Sequence, residues 1–269
     1  MTATSYDPHR TVAGGLAAEL ARLDAQAELS FAEELGVFRS LGLDAAASLL
    51  EIGAGSGAVT RRLRAAVPWL ALTALDRDAS LLAHLDATGV ETVVADAHDL
   101  PLPDAGFDAV LLRYVLQHVA TPARVLSEAV RVLRPGGLLL VVEVDGALPG
   151  LVEPYFPEVV PIYARVSTVQ SAAGGDRLIG RRLTRLLRGA GCDDVVLRPY
   201  AITSDERPIE AFAPHLGPDR LSPLVASGAL TLAEFALATD RWRRLRADPN
   251  AWLMLLGFVA AGRRPNPGG

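Results

Sequence analysis

Apolar positions recur along this chain with two different periods, and the period changes at glycines and prolines. From about Thr11 to Leu43 the repeat is helical. Leu16, Leu20 and Leu23 are spaced by four and three, as are Phe31, Leu35 and Phe38. Gly36 and Gly42 mark breaks, so two helices are expected, packed beside or over a sheet. Short, nearly continuous apolar runs then read as strands over 48–52, 71–75, 90–95, 107–112 and 138–144; such runs suit strands covered on both faces. Helical stripes separate them. The first carries Val59, Leu63, Ala66 and Val67 and ends at Pro68. The next is capped by Asp78 and runs to Ala87. A third carries Val125, Leu126, Ala129, Val130 and Leu133, with Thr121 as N-cap and Pro122 at its first position. Strands alternating with helices predict a parallel sheet with helices on both faces.

The pattern loosens after 145. Pro149, Pro154, Pro157 and Pro161 are mixed with Tyr155, Phe156 and Tyr163, then Gly174 and Gly175. This stretch reads as a substrate loop over about 146–175. A helix over 181–188 and a strand over 195–202 follow. Residues 208–248 are helical again, broken by Pro214, Pro218 and Pro223, and the last strand is 251–261. The helices before that strand fit an inserted cap over about 204–250. The chain thus divides into a helical lid, 1–44, and a main domain, 45–269.

Candidate chemistry gathers where such sheets bind ligands, beyond the carboxyl ends of the strands. There lie Glu51 to Gly57, Asp76, Asp96-Ala97, Arg113-Tyr114 and Glu143 to Asp145. Gly53 and Gly55 follow the first strand and precede a helix. Without side chains they permit positive φ and let a ligand lie against the backbone. Gly53-x-Gly55-x-x-Ala58 also satisfies the dinucleotide fingerprint, with Asp76 as the ribose acid; a purely structural turn is the third reading. Glu51 sits poorly with a phosphate, whereas a ligand with a cationic amine and ribose hydroxyls suits it. Tyr6, Arg22 and Gln26 are the polar groups that reach a ligand from the lid, with solvated helix faces as the alternative.

Composition narrows the classes. Half of the 269 residues are hydrophobic, enough for a substantial core. A net charge of −5 argues against a nucleic-acid partner. All 26 basic residues are Arg, which excludes lysine Schiff bases and a P-loop lysine. The single Cys192 excludes an internal disulfide, and the five His show no metal-ligand spacing. With a polar N-terminus and no long apolar run, no membrane association is expected, and a cytoplasmic protein is.

The motifs as a set resemble the class I S-adenosylmethionine-dependent methyltransferases, within them the small-molecule enzymes of bacterial specialised metabolism. Leu49-Leu50-Glu51-Ile52-Gly53-Ala54-Gly55-Ser56-Gly57 resembles their first motif and Ala74-Leu75-Asp76-Arg77 their acidic second. Ala95-Asp96-Ala97 with Leu100-Pro101-Leu102 and Phe107-Asp108-Ala109-Val110 resembles the adenine-contacting segment and fourth strand. Leu133-Arg134-Pro135-Gly136-Gly137 resembles the turn before strand five. The resemblance implies a Rossmann-like, doubly wound α/β fold of seven strands, the last antiparallel. It implies S-adenosyl-L-methionine as cofactor and S-adenosyl-L-homocysteine as product. Its cofactor residues are Glu51 near the methionine end, the turn Gly53, Ala54, Gly55 and Gly57, Asp76 on the ribose, Arg77 beside the adenine, Asp96 and Ala97 on the adenine, the backbone of Arg113 on the methionine amine, and Gln26 from the lid. No metal is implied.

Chain positions 113–116 read Arg-Tyr-Val-Leu and lack the Asn/Asp-Pro-Pro-Tyr signature of methylation at amide or base nitrogens. Methylation of DNA or glutamine is therefore disfavoured, and O-methylation of a small-molecule acceptor is expected ahead of N- or C-methylation. A non-methylating reaction on the same fold, such as a cyclisation or elimination, is the alternative, and a non-catalytic cofactor-binding protein the second. His118 and His215 are the candidate bases, and Tyr114, Tyr155, Tyr163 and Arg165 candidate pocket residues, each against a reading as ordinary packing. Monomer and homodimer both stay open.

Overall fold

The computed structural model of the chain describes residues 5–9, 14–86, 88–148 and 150–266. Eight strands form one sheet: β1 (Ser48–Ile52), β2 (Ala71–Asp76), β3 (Val90–Val94), β4 (Phe107–Arg113), β5 (Leu133–Glu143), β6 (Gly150–Glu153), β7 (Asp193–Thr203) and β8 (Trp252–Arg263). The order β3-β2-β1-β4-β5 is parallel throughout. β8 then runs antiparallel to β5, with Leu138 opposite Arg263 and Glu143 opposite Phe258, and β7 pairs antiparallel along β8. The expected doubly wound sheet with an antiparallel last strand is therefore present. The addition to the expected seven is β6, which pairs with β8 at residues 252–255. It is four residues long and alternately exposed, so no apolar run announced it.

The helices are α1 (Gly15–Ser40), α2 (Ala58–Ala66), α3 (Ala79–Leu82), α4 (Pro122–Val132), α5 (Val160–Ala172), α6 (Leu183–Gly189), α7 (Ala213–Leu216), α8 (Ser222–Ala226) and α9 (Leu232–Ala247). Alternation along the strands sends side chains to two cores. Leu49, Ala109, Leu111, Leu138, Leu140 and Val142 pack with α1 and α2. Leu50, Ile52, Val110, Leu112, Leu139 and Val141 pack with α4 and α6. A third, small core joins Ile162 of α5 to Leu221 and Leu224 at α8, Leu230 in the turn after it and Ala238 of α9. It ties α5 to the stretch expected as the cap.

Three expectations need correction. The lid is one helix, α1, not two: Gly36 lies inside it, and a Gly there costs about 1 kcal/mol. Leu29, Leu35 and Phe38 are buried on both sides of that point and hold the helix through it. The stretch expected as a loop holds β6 and the thirteen-residue α5. Pro157 and Pro161 do not break helix there, because each sits at the start of a helical segment, where a missing N–H costs nothing. The helix capped by Asp78 is only α3. Asp78 Oδ1 does accept from Ser80 N and Leu81 N, and Thr121 occupies its N-cap position without a side-chain bond. Thr11, Ala87 and Pro149 lie outside the described residues.

Candidate active site

β1 ends at Ile52 and α2 begins at Ala58, so the chain must reverse within five residues. Gly53, Gly55 and Gly57 do this with φ of 75°, 56° and 74°. The Gly53 and Ala54 N–H groups donate to the Leu75 carbonyl at 2.7 and 3.0 Å, pinning the turn to β2. Gly55 N donates to Asp76 Oδ2 at 2.8 Å, and Asp78 N donates to Oδ1 at 2.9 Å. The Arg77 backbone N–H also bonds this carboxylate, and with about four acceptor positions Asp76 keeps about one for a ligand. Burial pushes its carboxyl upward, against these three backbone donors.

The turn opens on a cleft of about 1030 Å³. Among the described residues its wall includes every expected cofactor residue except one: Glu51, Gly53, Ala54, Gly55, Asp76, Arg77, Asp96, Ala97, Arg113 and Gln26. Gly57 stands behind the wall, and a Cβ there would lie 2.1 Å from Leu85 Cδ1. A Cβ on Gly55 would meet nothing closer than 4.0 Å, so the cradle is open on the cleft side. Both candidate bases line the same cleft, as does Tyr114. Tyr155 is 61% exposed, Tyr163 OH donates to the Leu216 carbonyl, and Arg165 pairs with Glu234. Those three belong to the cap and its surface, not to the wall.

Three acids, Asp76, Glu51 and Asp96, line this part of the cleft. Glu51 is buried and accepts from Thr60 Oγ1 at 2.6 Å. Burial raises it to about 7, against the Thr60 bond and the charge of Arg113. Asp96 Oδ1 accepts from His98 N at 3.0 Å and meets His98 Nδ1 at 2.6 Å. His98 is a positioning residue that sequence reading did not single out. A ring of acids, with the Gly55 N–H already taken by Asp76, opposes a pyrophosphate. It suits a cationic ligand that carries ribose hydroxyls. The donor set therefore fits S-adenosylmethionine and disfavours a dinucleotide.

The far side of the cleft is built differently. Tyr114 has φ of 58°, a strained value for a bulky residue, at the turn out of β4. The His215 ring packs edge-on to it at 5.9 Å. Arg113 lies over its face at 4.3 Å and binds Glu34 of α1, Nε to Oε2 at 2.8 Å. Glu34 Oε1 also accepts from Tyr200 OH and Ser30 Oγ. The Arg113 side chain thus ties α1 to the sheet, leaving only its backbone for the expected ligand role. In the lid itself, Arg22 and Tyr6 both bind Glu19 and both line the cleft.

The two histidines differ in protonation. Gln170 Nε2 donates to the Gln117 carbonyl at 2.8 Å, which fixes its amide, and also faces His118 Nδ1 at 3.3 Å. Ser5 Oγ lies 3.0 Å from the same nitrogen. Nδ1 is therefore the acceptor, and the ring proton of His118 is on Nε2. Burial lowers His118 to about 3, helped by Arg177, Arg220 and Arg22. His215 is buried, and its Nε2 has no hydrogen-bond partner among the described residues. Burial, with Arg220 next, holds it well below the usual imidazole range. Gln117, Gln170, Arg177 and Arg220 are wall residues that sequence reading missed. Gln117, Arg177 and Arg220 sit in irregular or short segments, and Gln170 in α5, a helix the proline-rich sequence did not announce.

Residues 50–141 match a family model described as a methyltransferase domain. The chain is 34% identical over 257 residues to an uncharacterized 37.1 kDa protein in transposon TN4556 of Streptomyces fradiae, covering 88% of this chain and 72% of that one. It is 39% identical over 111 residues to the ubiquinone/menaquinone biosynthesis C-methyltransferase UbiE of Hahella chejuensis, covering 38% of this chain and 45% of that one. It thus spans less than half the length of that relative. A SAM-dependent methyltransferase from Thermotoga maritima, described as a possible histamine N-methyltransferase, superposes with a TM-score of 0.55 at 18% identity, covering 92% and 94% of the two chains. That likeness is one of fold.

Proposed function

We propose that this chain, which carries a methyltransferase domain over residues 50–141 and shares the fold of a SAM-dependent methyltransferase, methylates a hydroxyl of a small-molecule acceptor, with His215 as the proton acceptor. The carrying observation is that His215 lines the cleft while its Nε2, itself closed to solvent, is unpaired among the described residues. A buried polar atom without a partner is costly, and an acceptor O–H would satisfy it.

When bound, the cofactor supplies a methyl group already activated by a positively charged sulfur. The chain's own work is then placement. Asp76 offers its remaining acceptor capacity to the ribose hydroxyls, and Asp96 and Ala97 hold the adenine. Glu51 and the Gly53–Gly55 turn take the methionine end. The cap and α1 exclude water above the turn. His215 Nε2 receives the acceptor's hydroxyl proton as the new O–C bond forms.

The match to UbiE, whose name states C-methylation, covers 38% of this chain. The O-methyl reading rests on the cap side, where His215 lies. Specialised metabolism is the setting we infer for such an acceptor. Methyl-labelled cofactor incubated with a panel of phenols tests the reading. Label recovered as a methyl ether supports it; label on a ring carbon replaces it with C-methylation; an unlabelled rearranged product removes transfer altogether. In the same assay, H215Q is expected to lower kcat about 10²–10⁴-fold while S-adenosylhomocysteine affinity stays unchanged. Because His215 stays neutral well below pH 6.5, activity should persist through that pH rather than fall with a limb there.

A further inference from the structure

Two guanidinium groups on the cleft wall lack a counter-ion among the described residues. Arg177 follows α5, and Arg220 lies in the turn between α7 and α8; neither makes an ion pair there. Their polar contacts are neutral: Arg177 Nη1 to Gln170 Oε1 at 3.4 Å, and Arg220 Nη1 to the His215 carbonyl at 2.6 Å. The other arginines of the wall that reach into the core are matched, Arg22 by Glu19 and Arg113 by Glu34. Glu143 attracts Arg177, but burial raises that carboxyl to about 8, so near neutral pH it compensates little. After burial, Arg177 is the group that most depresses Arg220, which places the two charges in one neighbourhood.

Uncompensated cations are rarely kept inside a protein, because desolvation is not repaid. Here both keep part of their surface open to the cleft. Beside them the wall is apolar, with Val166, Val169, Pro223 and Leu224. We propose that Arg177 and Arg220 form an anion-recognition subsite, and that the acceptor is an amphipathic organic acid whose apolar body lies on those four side chains. This rests on the methyltransferase reading above and adds the acceptor's charge. The competing occupant is the carboxylate of the cofactor itself.

Calorimetry on the full chain at about pH 7.5 decides, and S-adenosylhomocysteine is titrated first. On the protein saturated with it, benzoate, phenyl phosphate and benzamide are compared. At least one anion should bind about tenfold or more tighter than benzamide, which has the same ring without the charge. R177M and R220M should each erase that preference while keeping S-adenosylhomocysteine affinity within about threefold. Benzoate ahead of phenyl phosphate identifies a carboxylic acid, and the reverse a phosphate ester; both support the subsite. Equal affinity for the three, including none measurable, overturns it. So does a tenfold loss of S-adenosylhomocysteine affinity in either variant, which would assign the arginines to the cofactor. Should a variant fail to fold, the comparison of the three ligands on the wild type is sufficient to support or overturn the subsite. Should the wild type not bind S-adenosylhomocysteine, the cofactor reading falls, and the same anion comparison on the bare protein still judges the subsite.

Discussion

Single residues in this protein are governed by burial more than by pairing. Glu143 is fully buried, its Oε2 unpartnered among the described residues, and burial raises it from 4.5 to about 8. Below pH 4.5 both the folded and unfolded states hold its proton. Between there and 8 only the folded state does, so stability declines as pH rises. Each pH unit in that window is worth about 1.4 kcal/mol. E143Q cannot titrate, so relative to wild type it should gain roughly 2–4 kcal/mol from pH 5 to 8. Urea unfolding across that range reads the difference, and a flat one would mean the folded carboxyl is ionised at neutral pH. His118 acts in the opposite sense: held down to about 3, it removes stability as pH falls below 6.5. None of this was legible in the sequence. Glu143 was visible there only as an acid at a strand end, because burial is a property of what packs around it.

Among the elements, α1 depends most on long-range partners. Its apolar stripe was readable, with Leu35 and Phe38 in place against the sheet. Its polar anchor was not. Glu34 is 0% exposed and meets Arg113 of β4 and Tyr200 of β7, residues 79 and 166 positions away. E34A should cost about 3–5 kcal/mol in urea unfolding, because it leaves the Arg113 charge buried alone. A cost below about 1 kcal/mol would show that water reaches the guanidinium. The double variant E34L/R113M should recover much of the loss, since an apolar pair of similar volume is often neutral there. Asp78 illustrates the opposite case: its cap was readable because it is local, two and three residues from its donors.

At the scale of the whole molecule, one rim of the sheet and α1 line a single cleft with the residues we assign to the cofactor. Binding to the native state alone should stabilise the fold by mass action. S-adenosylhomocysteine at a hundredfold its Kd is worth about 2.7 kcal/mol, or roughly 5–10 °C in melting temperature for a chain of this size. No shift in a calorimetric scan would contradict the shared site. The parallel core, the antiparallel last strand, the glycine turn and the three acids were all determined by the sequence. The parallel core and the turn follow from apolar runs, helical stripes and turn chemistry, which act over neighbouring residues; the antiparallel last strand followed only from motifs shared with a family. The straight run of α1 through Gly36, the helix within 146–175, the tautomer of His118 and the meeting of His215 with Arg177 and Arg220 were decided only by tertiary structure. Each depends on which distant groups share one buried volume, and charge, protonation and helix continuity respond to that volume, not to the order of residues along the chain.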